Sequence, residues 1–232
     1  MSAYGRPAGE RAAGSTRNPK AMKPGDTFGL IAPSGSSNDA ELVEKGTEFL
    51  AEMGFKAKTG KSCMATRYGY LAAPDALRAS DVNDFFADPE VDGIICLKGG
   101  YGTPRILDSL DYRTIAANPK VFVGYSDITG MHLAIQRMTG MSTFHGIMAV
   151  SMADGMDRFS VDSWMRAMTA KTPLGRLDPP VAEGGPAGAS QETLVGGLAR
   201  GLFMGGNLSL VAALTGTPYA LDPRGKILFL ED

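Results

Sequence analysis

A short apolar strand that runs directly into a helix is the feature that most constrains how this chain can fold. Residues 120–127 read Lys-Val-Phe-Val-Gly-Tyr-Ser-Asp, and the apolar run predicts a buried strand. Apolar residues then recur at helical spacing over 128–138, and Gly140 stands where such a helix would end. Ser126 therefore lies at the corner between strand and helix. A hydroxyl at such a corner projects from the carboxyl edge of a sheet, as in a nucleophile elbow.

The sequence signature of the elbow is only partly present. The pattern G-x-S-x-G has its first glycine at Gly124, but Ile128 stands in place of the second. A serine that precedes a helix is also a common N-cap, which is the alternative role for Ser126. Other parts of the chain must therefore decide between a nucleophile and a cap.

Predicted strands and helices alternate through most of the chain. This alternation is typical of a parallel sheet wrapped by helices, whose ligand site lies at the carboxyl ends of the strands. The sequence therefore predicts an α/β fold. Besides the central pair, strands are predicted at 27–32, 55–59 and 91–97, and helices after Asn38 or Asp39, after Pro74, over 103–110 and over 160–168.

Local composition divides the chain into four segments. Residues 1–20 mix Gly, Ala, Arg and Ser without an apolar run, which predicts a disordered tail. The α/β domain is assigned to 21–171, and the Pro-, Gly- and Ala-rich stretch 172–192 predicts a linker. A helix and a final strand predicted within 193–232 indicate the start of a smaller C-terminal domain.

Charge and cysteine content exclude several classes of function. A net charge of −2 and a sequence pI near 5.8 provide no basic surface for nucleic acid, and no block of like charge indicates a membrane surface. The N-terminal residues form neither a signal peptide nor a spanning helix. Cys63 falls in a predicted loop and Cys96 in a predicted buried strand. This placement favours reduced thiols without a role in function over a disulfide bond. We therefore expect a cytoplasmic protein.

A carbonyl attacked by Ser126 would need two backbone donors aimed at the oxyanion. The N–H of Asp127, at the start of the predicted helix, is one candidate. Gly100 is the other, because it lies in the glycine-rich run 99–102 at the end of a neighbouring strand and glycine allows close backbone approach. The same run could instead form a tight turn or a phosphate nest, although it lacks the spacing of a P-loop.

Ser126 would also need a histidine base that a carboxylate orients. The chain contains two histidines. His132 falls on the apolar stripe of the predicted helix and is interpreted as a core residue. His145 could approach the site, but we favour a structural role in orienting a loop. Glu231 ends an apolar strand, where it could hold an imidazole or serve as a capping or strand-edge residue.

Several further motifs occur in one order along the chain. They are Ile-Ala-Pro-Ser-Gly at 31–35, Arg-Ala-Ser-Asp at 78–81, Gly-Gly-Tyr-Gly at 99–102 with Arg105, Gly-Tyr-Ser-Asp-Ile-Thr at 124–129, Thr-Phe-His-Gly at 143–146, Gly-Gly-Asn-Leu-Ser at 205–209 and Leu-Glu-Asp at 230–232. Together these motifs resemble the LD-carboxypeptidases, a family of serine peptidases that includes the microcin-C immunity hydrolases. The resemblance covers nearly the whole chain after the tail.

The resemblance implies a flavodoxin-like N-terminal domain that bears the nucleophile and a smaller C-terminal domain, here incomplete, that bears the Glu and His of a Ser-His-Glu triad. By position, Ser126 is similar to the nucleophile, Asp127 and Gly100 to the oxyanion donors, and Glu231 to the triad carboxylate. The family's histidine lies further along the chain than Glu231, so we expect this sequence to be part of a longer enzyme. The resemblance implies a homodimer and neither a metal nor a cofactor.

The leading hypothesis is a serine carboxypeptidase that hydrolyses an LD-peptide bond through an acyl-enzyme, for example releasing the terminal D-alanine of a murein tetrapeptide in peptidoglycan recycling. Its partner would be a small peptide. Arg105 or the loop around Ser34 could hold the terminal carboxylate, although a salt bridge within the protein is the preferred role of Arg105. The candidate substrate-binding residues are Ser34, Gly99, Tyr101, Arg105 and Trp164.

Two alternatives remain open at this point. An immunity-type hydrolase of microcin-C-like peptidyl nucleotides would require an aromatic side chain to stack the base, and Trp164 is the one tryptophan of the chain. A protein of another class, a catalytically silent binding protein, would keep the cleft without the triad histidine.

Overall fold

The computed structural model describes residues 16–36, 39–153, 155–177 and 192–232. Its main feature is a five-stranded sheet in which every neighbouring pair is parallel and the strand order is β2-β1-β3-β4-β5. This is the order of flavodoxin-like folds, so the predicted fold class is confirmed. The strands are β1 (Thr27–Ile31), β2 (Lys56–Thr59), β3 (Gly93–Cys96), β4 (Val121–Gly124) and β5 (Phe144–His145).

Helices cover both faces of this sheet because both faces of its central strands are apolar. In β3 and β4, Ile94 and Phe122 pack on one face, whereas Ile95 and Val123 pack on the other. A sheet buried on both sides explains why these strands read as continuous apolar runs. One face carries α2 (Asp75–Ala87), α3 (Tyr112–Ala117) and α4 (Thr129–Thr139), and the other carries α1 (Ala40–Glu52), α5 (Ala149–Ala153) and α6 (Arg158–Thr169).

The ends of two helices follow the signals in the sequence. Asp39 caps α1, because its side chain accepts a hydrogen bond from the N–H of Glu41 at 2.9 Å. Gly140 ends α4 in the left-handed conformation with φ of 71°, which glycine adopts without strain. The helix that carries the residues after Ser126 therefore ends where the sequence predicts.

The segment 103–110, predicted as a helix, is not one. It forms two 3₁₀ turns, Thr103–Arg105 and Leu107–Ser109, and the helix in this region is α3. Asp111 decides where α3 begins, because its carboxylate accepts hydrogen bonds from the N–H groups of Arg113 and Thr114. The apolar residues before Asp111 are buried in the core by these turns, as they would be by a helix.

A second, two-stranded sheet follows the region assigned to the linker. Its strands β6 (Leu202–Asn207) and β7 (Lys226–Glu231) are parallel, and α7 (Leu208–Ala213) lies between them in the chain. The helix and final strand predicted for this region are confirmed. The predicted tail up to residue 15 and most of the predicted linker lie outside the described residues. Arg17, at the end of the predicted tail, pairs with Met141.

None of the described helices combines the length and the apolar character that crossing a bilayer requires.

His132 is a core residue, as predicted. It is 5% exposed, and its Nε2 lies 2.8 Å from the carbonyl oxygen of Gly124, so this nitrogen carries the proton and donates. Its ring meets Phe122 edge-on at 5.6 Å. Burial lowers the pKa of His132 to about 4, since the charged imidazolium is poorly solvated there.

Stability should therefore depend on pH through His132. Because the folded pKa lies below the unfolded value, the unfolded state binds more protons between pH 6.5 and about 4. We expect the free energy of unfolding to be greatest above pH 6.5 and to lose about 3 kcal/mol as pH falls through this window. Urea unfolding at several pH values measures it. His132→Gln should flatten the slope, and an unchanged slope in that variant would contradict the assignment.

Arg78 joins the loops that follow β1 and β3. It is fully buried and donates to the carbonyl oxygens of Ala73, Pro33 and Gly102, and to the carboxylate of Asp75. A buried guanidinium is stable only when its donors are all engaged, and here they bind backbone atoms on both loops. Arg78 therefore holds the two strand ends next to each other.

We expect Arg78→Met to destabilise the protein by about 3 kcal/mol, because buried carbonyl oxygens lose their partner. Equilibrium urea unfolding measures the change. Arg113→Met is the matched control, since Arg113 is exposed on α3 and should shift stability by less than about 0.5 kcal/mol. Equal stabilities of the two variants would show that Arg78 does not support these loops.

Candidate active site

Ser126 occupies a strained corner at the end of β4. The strand ends at Gly124, and the 3₁₀ turn Ser126–Ile128 leads directly into α4. The φ of Ser126 is 61°, a left-handed value that costs free energy for a residue with a Cβ atom. Among the described residues, Tyr68 is the one other non-glycine residue with positive φ. A strained serine at a strand-to-helix turn is the backbone geometry of a nucleophile elbow.

Gly99 packs directly against this corner. A Cβ atom added at Gly99 would lie 2.9 Å from Cβ of Ser126, 3.1 Å from its Oγ and 3.6 Å from the amide nitrogen of Asp127. The first of these separations is shorter than real Cβ contacts allow, so no side chain fits there. The backbone at the end of β3 thus approaches both the hydroxyl of Ser126 and the N–H of Asp127.

Gly100 lies at the same place with φ of 126°, a conformation that residues with side chains rarely adopt. A Cβ atom at Gly100 would lie 3.0 Å from Cα of Gly35, and the N–H of Gly35 donates to the carbonyl of Gly99 at 3.1 Å. The loops after β1 and β3 are therefore in backbone contact. The sequence predicts close approach at this glycine run, and the structure shows which loop makes it.

The carboxylate of Asp127 holds three loops together. It is 3% exposed, and its Oδ2 accepts hydrogen bonds from Oγ of Ser34 at 2.6 Å and from the N–H of Thr103 at 2.9 Å. The hydroxyl of Thr103 in turn donates to the carbonyl oxygen of Asp127 at 2.6 Å. The side chain of Asp127 is thereby committed to structure, so its contribution to chemistry would come from its backbone N–H.

Two residues in this arrangement have roles that sequence reasoning did not assign. Ser34, a candidate substrate-binding residue, is fully buried with its hydroxyl on Asp127. The sequence predicts a helix at Thr103, whereas in the structure both its N–H and its hydroxyl donate hydrogen bonds to Asp127. No periodic pattern marks Thr103, because its partner lies 24 positions away in the chain.

Glu231, the last residue of β7, is connected to the start of α4 through the second sheet. Glu231 pairs with Asn207 of β6, and the N–H of Asn207 donates to Oγ1 of Thr129 at 3.0 Å. Thr129 begins α4, just after the corner at Ser126. Gly206 permits this contact, since an added Cβ would lie 2.5 Å from Oγ1 of Thr129.

His145 lies beside Glu231. Its Nε2 is 3.9 Å from Oε1 of Glu231, and its ring meets Phe229 of β7 edge-on at 5.0 Å. Burial lowers the pKa of His145, and the carboxylate of Glu231 partly offsets this shift. His145 pairs with Gly124 across β4 and β5, so it lies on the strand next to the one that ends at the corner.

The remaining candidate residues are paired with other side chains, exposed to solvent or packed in the core. Arg105 forms an ion pair with Asp75, with Nη2 to Oδ2 at 2.8 Å, and this pair raises the pKa of Arg105 and lowers that of Asp75. Tyr101 is 65% exposed and meets Tyr70 at 6.1 Å. Trp164 is 4% exposed, and its ring packs among phenylalanines of the core.

The two cysteines do not offer a competing nucleophile. Cys63 and Cys96 are both buried and free. Burial raises the pKa of the Cys63 thiol to about 12 and that of Cys96 well above its usual value, so both remain protonated near neutral pH. Within the described ranges, no group of three or more His, Cys, Asp or Glu side chains is placed to hold a metal ion.

Comparison with known proteins matches this architecture. The model of the LD-carboxypeptidase N-terminal domain matches residues 28–146, and that of the C-terminal domain matches 200–232. A probable murein peptide carboxypeptidase of Bacillus subtilis is 39% identical over 218 residues. That match covers 92% of this chain and 64% of the relative, so the chain spans less than two thirds of that protein.

Solved structures agree with the sequence comparison. An MccF-like protein from Bacillus anthracis superposes with a TM-score of 0.81 at 29% identity, covering 94% of this chain and 70% of that one. The microcin C7 self-immunity protein MccF, in complex with aspartyl sulfamoyl adenosine, gives a TM-score of 0.81 at 26% identity, covering 92% and 70% of the two chains. By its motifs, its fold and these matches, this chain belongs to the LD-carboxypeptidase family.

Proposed function

We propose that this protein is a serine carboxypeptidase that hydrolyses the amide bond between an L- and a D-amino acid, releasing the terminal D-alanine of a murein tetrapeptide. Ser126 is the nucleophile. The observation that carries the proposal is the strained conformation of Ser126, with φ of 61°, against a glycine backbone that admits no side chain. A strained conformation persists where it serves function, and here it presents a hydroxyl at the carboxyl edge of the sheet.

The reaction would proceed through an acyl-enzyme. Oγ of Ser126 attacks the amide carbonyl as its proton passes to a base, and the N–H groups of Asp127 and Gly100 stabilise the oxyanion. The base then protonates the leaving amine of D-alanine, and water hydrolyses the acyl-enzyme. Two features support the donor assignment: the amide nitrogen of Asp127 lies 3.6 Å from the position of a Cβ atom at Gly99, and Oδ2 of Asp127 already accepts two hydrogen bonds.

Glu231 is the proposed carboxylate of the catalytic triad, because a carboxylate at the end of β7 would be able to orient an imidazole. The resemblance implies a triad histidine further along the chain than Glu231, and we propose a histidine at that position as the base. His145 would help to position the carboxylate of Glu231, since its Nε2 lies 3.9 Å from Oε1. A cytoplasmic location, which the sequence analysis predicts, and a homodimer, which the resemblance implies, are part of the same proposal.

Among the other candidate residues, Gly99 would leave Ser126 accessible to the substrate, because it has no side chain. Ser34 would hold Asp127 in position through its hydrogen bond to the carboxylate. Arg105 and Tyr101 follow β3 and are exposed to solvent, so their side chains are accessible to a peptide. The Arg105 ion pair with Asp75 is half exposed, so a substrate carboxylate can compete for the guanidinium. We propose both as peptide contacts.

A second candidate function is hydrolysis of aminoacyl or peptidyl nucleotides of the microcin-C type. The solved structure of MccF with aspartyl sulfamoyl adenosine favours it. Purified protein assayed in parallel with a murein tetrapeptide and with aspartyl sulfamoyl adenosine separates the two substrates. The murein proposal requires the larger kcat/KM on the tetrapeptide, and the reverse preference would favour the second function.

The nucleophile can be tested by labelling. We expect a fluorophosphonate to modify Ser126 alone, and Ser126→Ala to lose the adduct and at least about 10⁴-fold of kcat/KM, because the triad acts as a unit. Peptide mapping and tetrapeptide hydrolysis measure the two effects. Ser109→Ala, a change at an exposed serine in a 3₁₀ turn, should leave both unchanged. Absence of an adduct in a protein that includes the complete C-terminal domain would favour a binding protein.

Gly99→Ala should lower kcat about 100-fold, because the added methyl group lies 3.1 Å from Oγ of Ser126 and displaces the nucleophile. Steady-state kinetics on the tetrapeptide measure the change. Gly197→Ala is the matched control, since nothing lies within 4 Å of a Cβ atom there and its rate should be unchanged. Wild-type kcat in Gly99→Ala would show that this backbone contact does not position the nucleophile.

A further inference from the structure

Three exposed tyrosines form a cluster in the loops near the corner at Ser126. Tyr68 is 69% exposed, Tyr70 is 48% exposed and Tyr101 is 65% exposed. The ring of Tyr70 stacks on that of Tyr68 with 6.5 Å between centroids, and it contacts the ring of Tyr101 at 6.1 Å. Exposed aromatic rings that adjoin one another form an apolar surface of the kind that marks binding sites. We call these three residues the tyrosine platform.

The backbone of Tyr68 is strained. Its φ is 56°, and in the described part of the chain only Ser126 shares a positive φ among the residues other than glycine. Bulky side chains disfavour this conformation, whereas glycine and asparagine adopt it readily. Strained residues are concentrated at functional sites, as the proposed nucleophile illustrates. The turn at Tyr68 alone would favour a smaller residue, so the presence of a tyrosine indicates that its ring has a function.

The tyrosine platform is continuous with the proposed active site. Tyr101 lies two residues after Gly99, whose backbone packs against Ser126. The carbonyl oxygen of Tyr70 accepts a hydrogen bond at 3.0 Å from the N–H of Ser36, in the loop after β1. That loop is in backbone contact with the glycine-rich run after β3. A substrate held at the corner can therefore extend onto the platform.

Two arginines lie beside the platform. The guanidinium of Arg67 is 4.3 Å from the ring centroid of Tyr68, and its Nη2 donates to the hydroxyl of Tyr68 at 2.9 Å. Most of Tyr68 remains exposed all the same. Arg105 is held by its half-exposed ion pair with Asp75. Guanidinium and hydroxyl groups next to aromatic rings suit a ligand that combines an apolar face with many oxygen atoms.

We propose that the tyrosine platform binds the sugar ring of a muropeptide, so that a tetrapeptide still attached to muramic acid is a better substrate than the free tetrapeptide. This inference rests on the proposed murein function and assigns specificity to Tyr68 and Tyr70. The face of an aromatic ring carries partial negative charge, which attracts the C–H groups on the face of a pyranose. The hydroxyl and guanidinium groups beside the rings can bind the oxygen atoms of the sugar.

The length of the tetrapeptide is consistent with this assignment. Three amino acids separate the sugar from the bond that Ser126 would attack, and three extended residues span about 10 Å. The platform begins two residues after Gly99 and continues over ring separations of 6.1 and 6.5 Å, so the sugar can reach its outer rings. A nucleobase inserted between two rings would need about 7 Å between them, more than Tyr68 and Tyr70 leave.

Hydrolysis of two substrates tests the platform. The wild type should have a kcat/KM at least about tenfold larger on N-acetylmuramoyl tetrapeptide than on the free tetrapeptide, the effect of two or three ring contacts. Steady-state kinetics on both peptides measure this ratio. Equal values of kcat/KM on the two peptides would overturn the proposal.

Variants locate the preference on the platform. Tyr68→Asn removes the ring but suits the left-handed backbone, and it should lower the ratio about fivefold. The loss should appear in KM for the muramoyl peptide with kcat unchanged, because the sugar is remote from the reacting bond. Tyr70→Leu should have the same effect, whereas Tyr68→Phe keeps the ring and should keep the preference. The matched control is Phe159→Ala, which removes an exposed ring from α6 and should leave both rates unchanged.

Binding to Ser126→Ala separates this inference from the catalytic proposal. Calorimetry should give a dissociation constant for the muramoyl tetrapeptide at least about tenfold lower than that for the free tetrapeptide, and adding Tyr68→Asn should reduce the difference about fivefold. Circular dichroism confirms that each variant is folded. If the wild type hydrolyses neither peptide but this difference in binding is found, the proposed function fails and the platform is supported.

Three results would overturn the sugar site. They are equal affinities of Ser126→Ala for the two peptides, a sugar preference that Tyr68→Asn and Tyr70→Leu both leave unchanged, and tighter binding of adenosine than of the muramoyl peptide. The last result would instead assign the platform to a nucleobase.

Discussion

The buried carboxylate of Asp127 is the interaction on which the rest of the site depends. A carboxylate removed from water is stable only when donors replace its hydration, and Ser34 and Thr103 supply them at 2.6 and 2.9 Å. These donors belong to the loops after β1 and β3, while Asp127 itself follows β4. One side chain therefore joins the ends of three parallel strands next to Ser126. The cost of burying the carboxylate is offset by the hydrogen bonds that its Oδ2 accepts from Ser34 and Thr103.

Two further features lie at the carboxyl edge of the main sheet. The backbone is closely packed there, and the second sheet contributes the carboxylate of Glu231. Arg78 binds carbonyl oxygens of two of the loops, and Gly99 leaves no space for a side chain beside Ser126. On the other side of the corner, Asn207 donates to Thr129 at the start of α4. The fold thus supplies a rigid corner, and the proposed chemistry uses groups that packing holds in place before a substrate arrives.

Much of the fold could be predicted because its strands and helices carry strong local patterns. The strands are buried on both faces and read as apolar runs, and α4 shows regular apolar spacing up to Gly140. The prediction was wrong over 103–110, where apolar spacing of the kind expected for a helix belongs to two 3₁₀ turns and Asp111 starts α3 afterwards. Apolar periodicity reports which side chains are buried, and a turn can bury them in the same way.

Local pattern in the amino-acid sequence was enough to predict the alternation of strands and helices, the serine at a strand-to-helix corner and the glycines beside it, because these depend on short-range pattern and backbone freedom. The three-dimensional structure was needed to show that Ser34 and Thr103 bind Asp127 and that His145 lies 3.9 Å from Glu231. These contacts join residues far apart in the chain. Their geometry follows from how the strands pair and the helices pack, which no local pattern encodes.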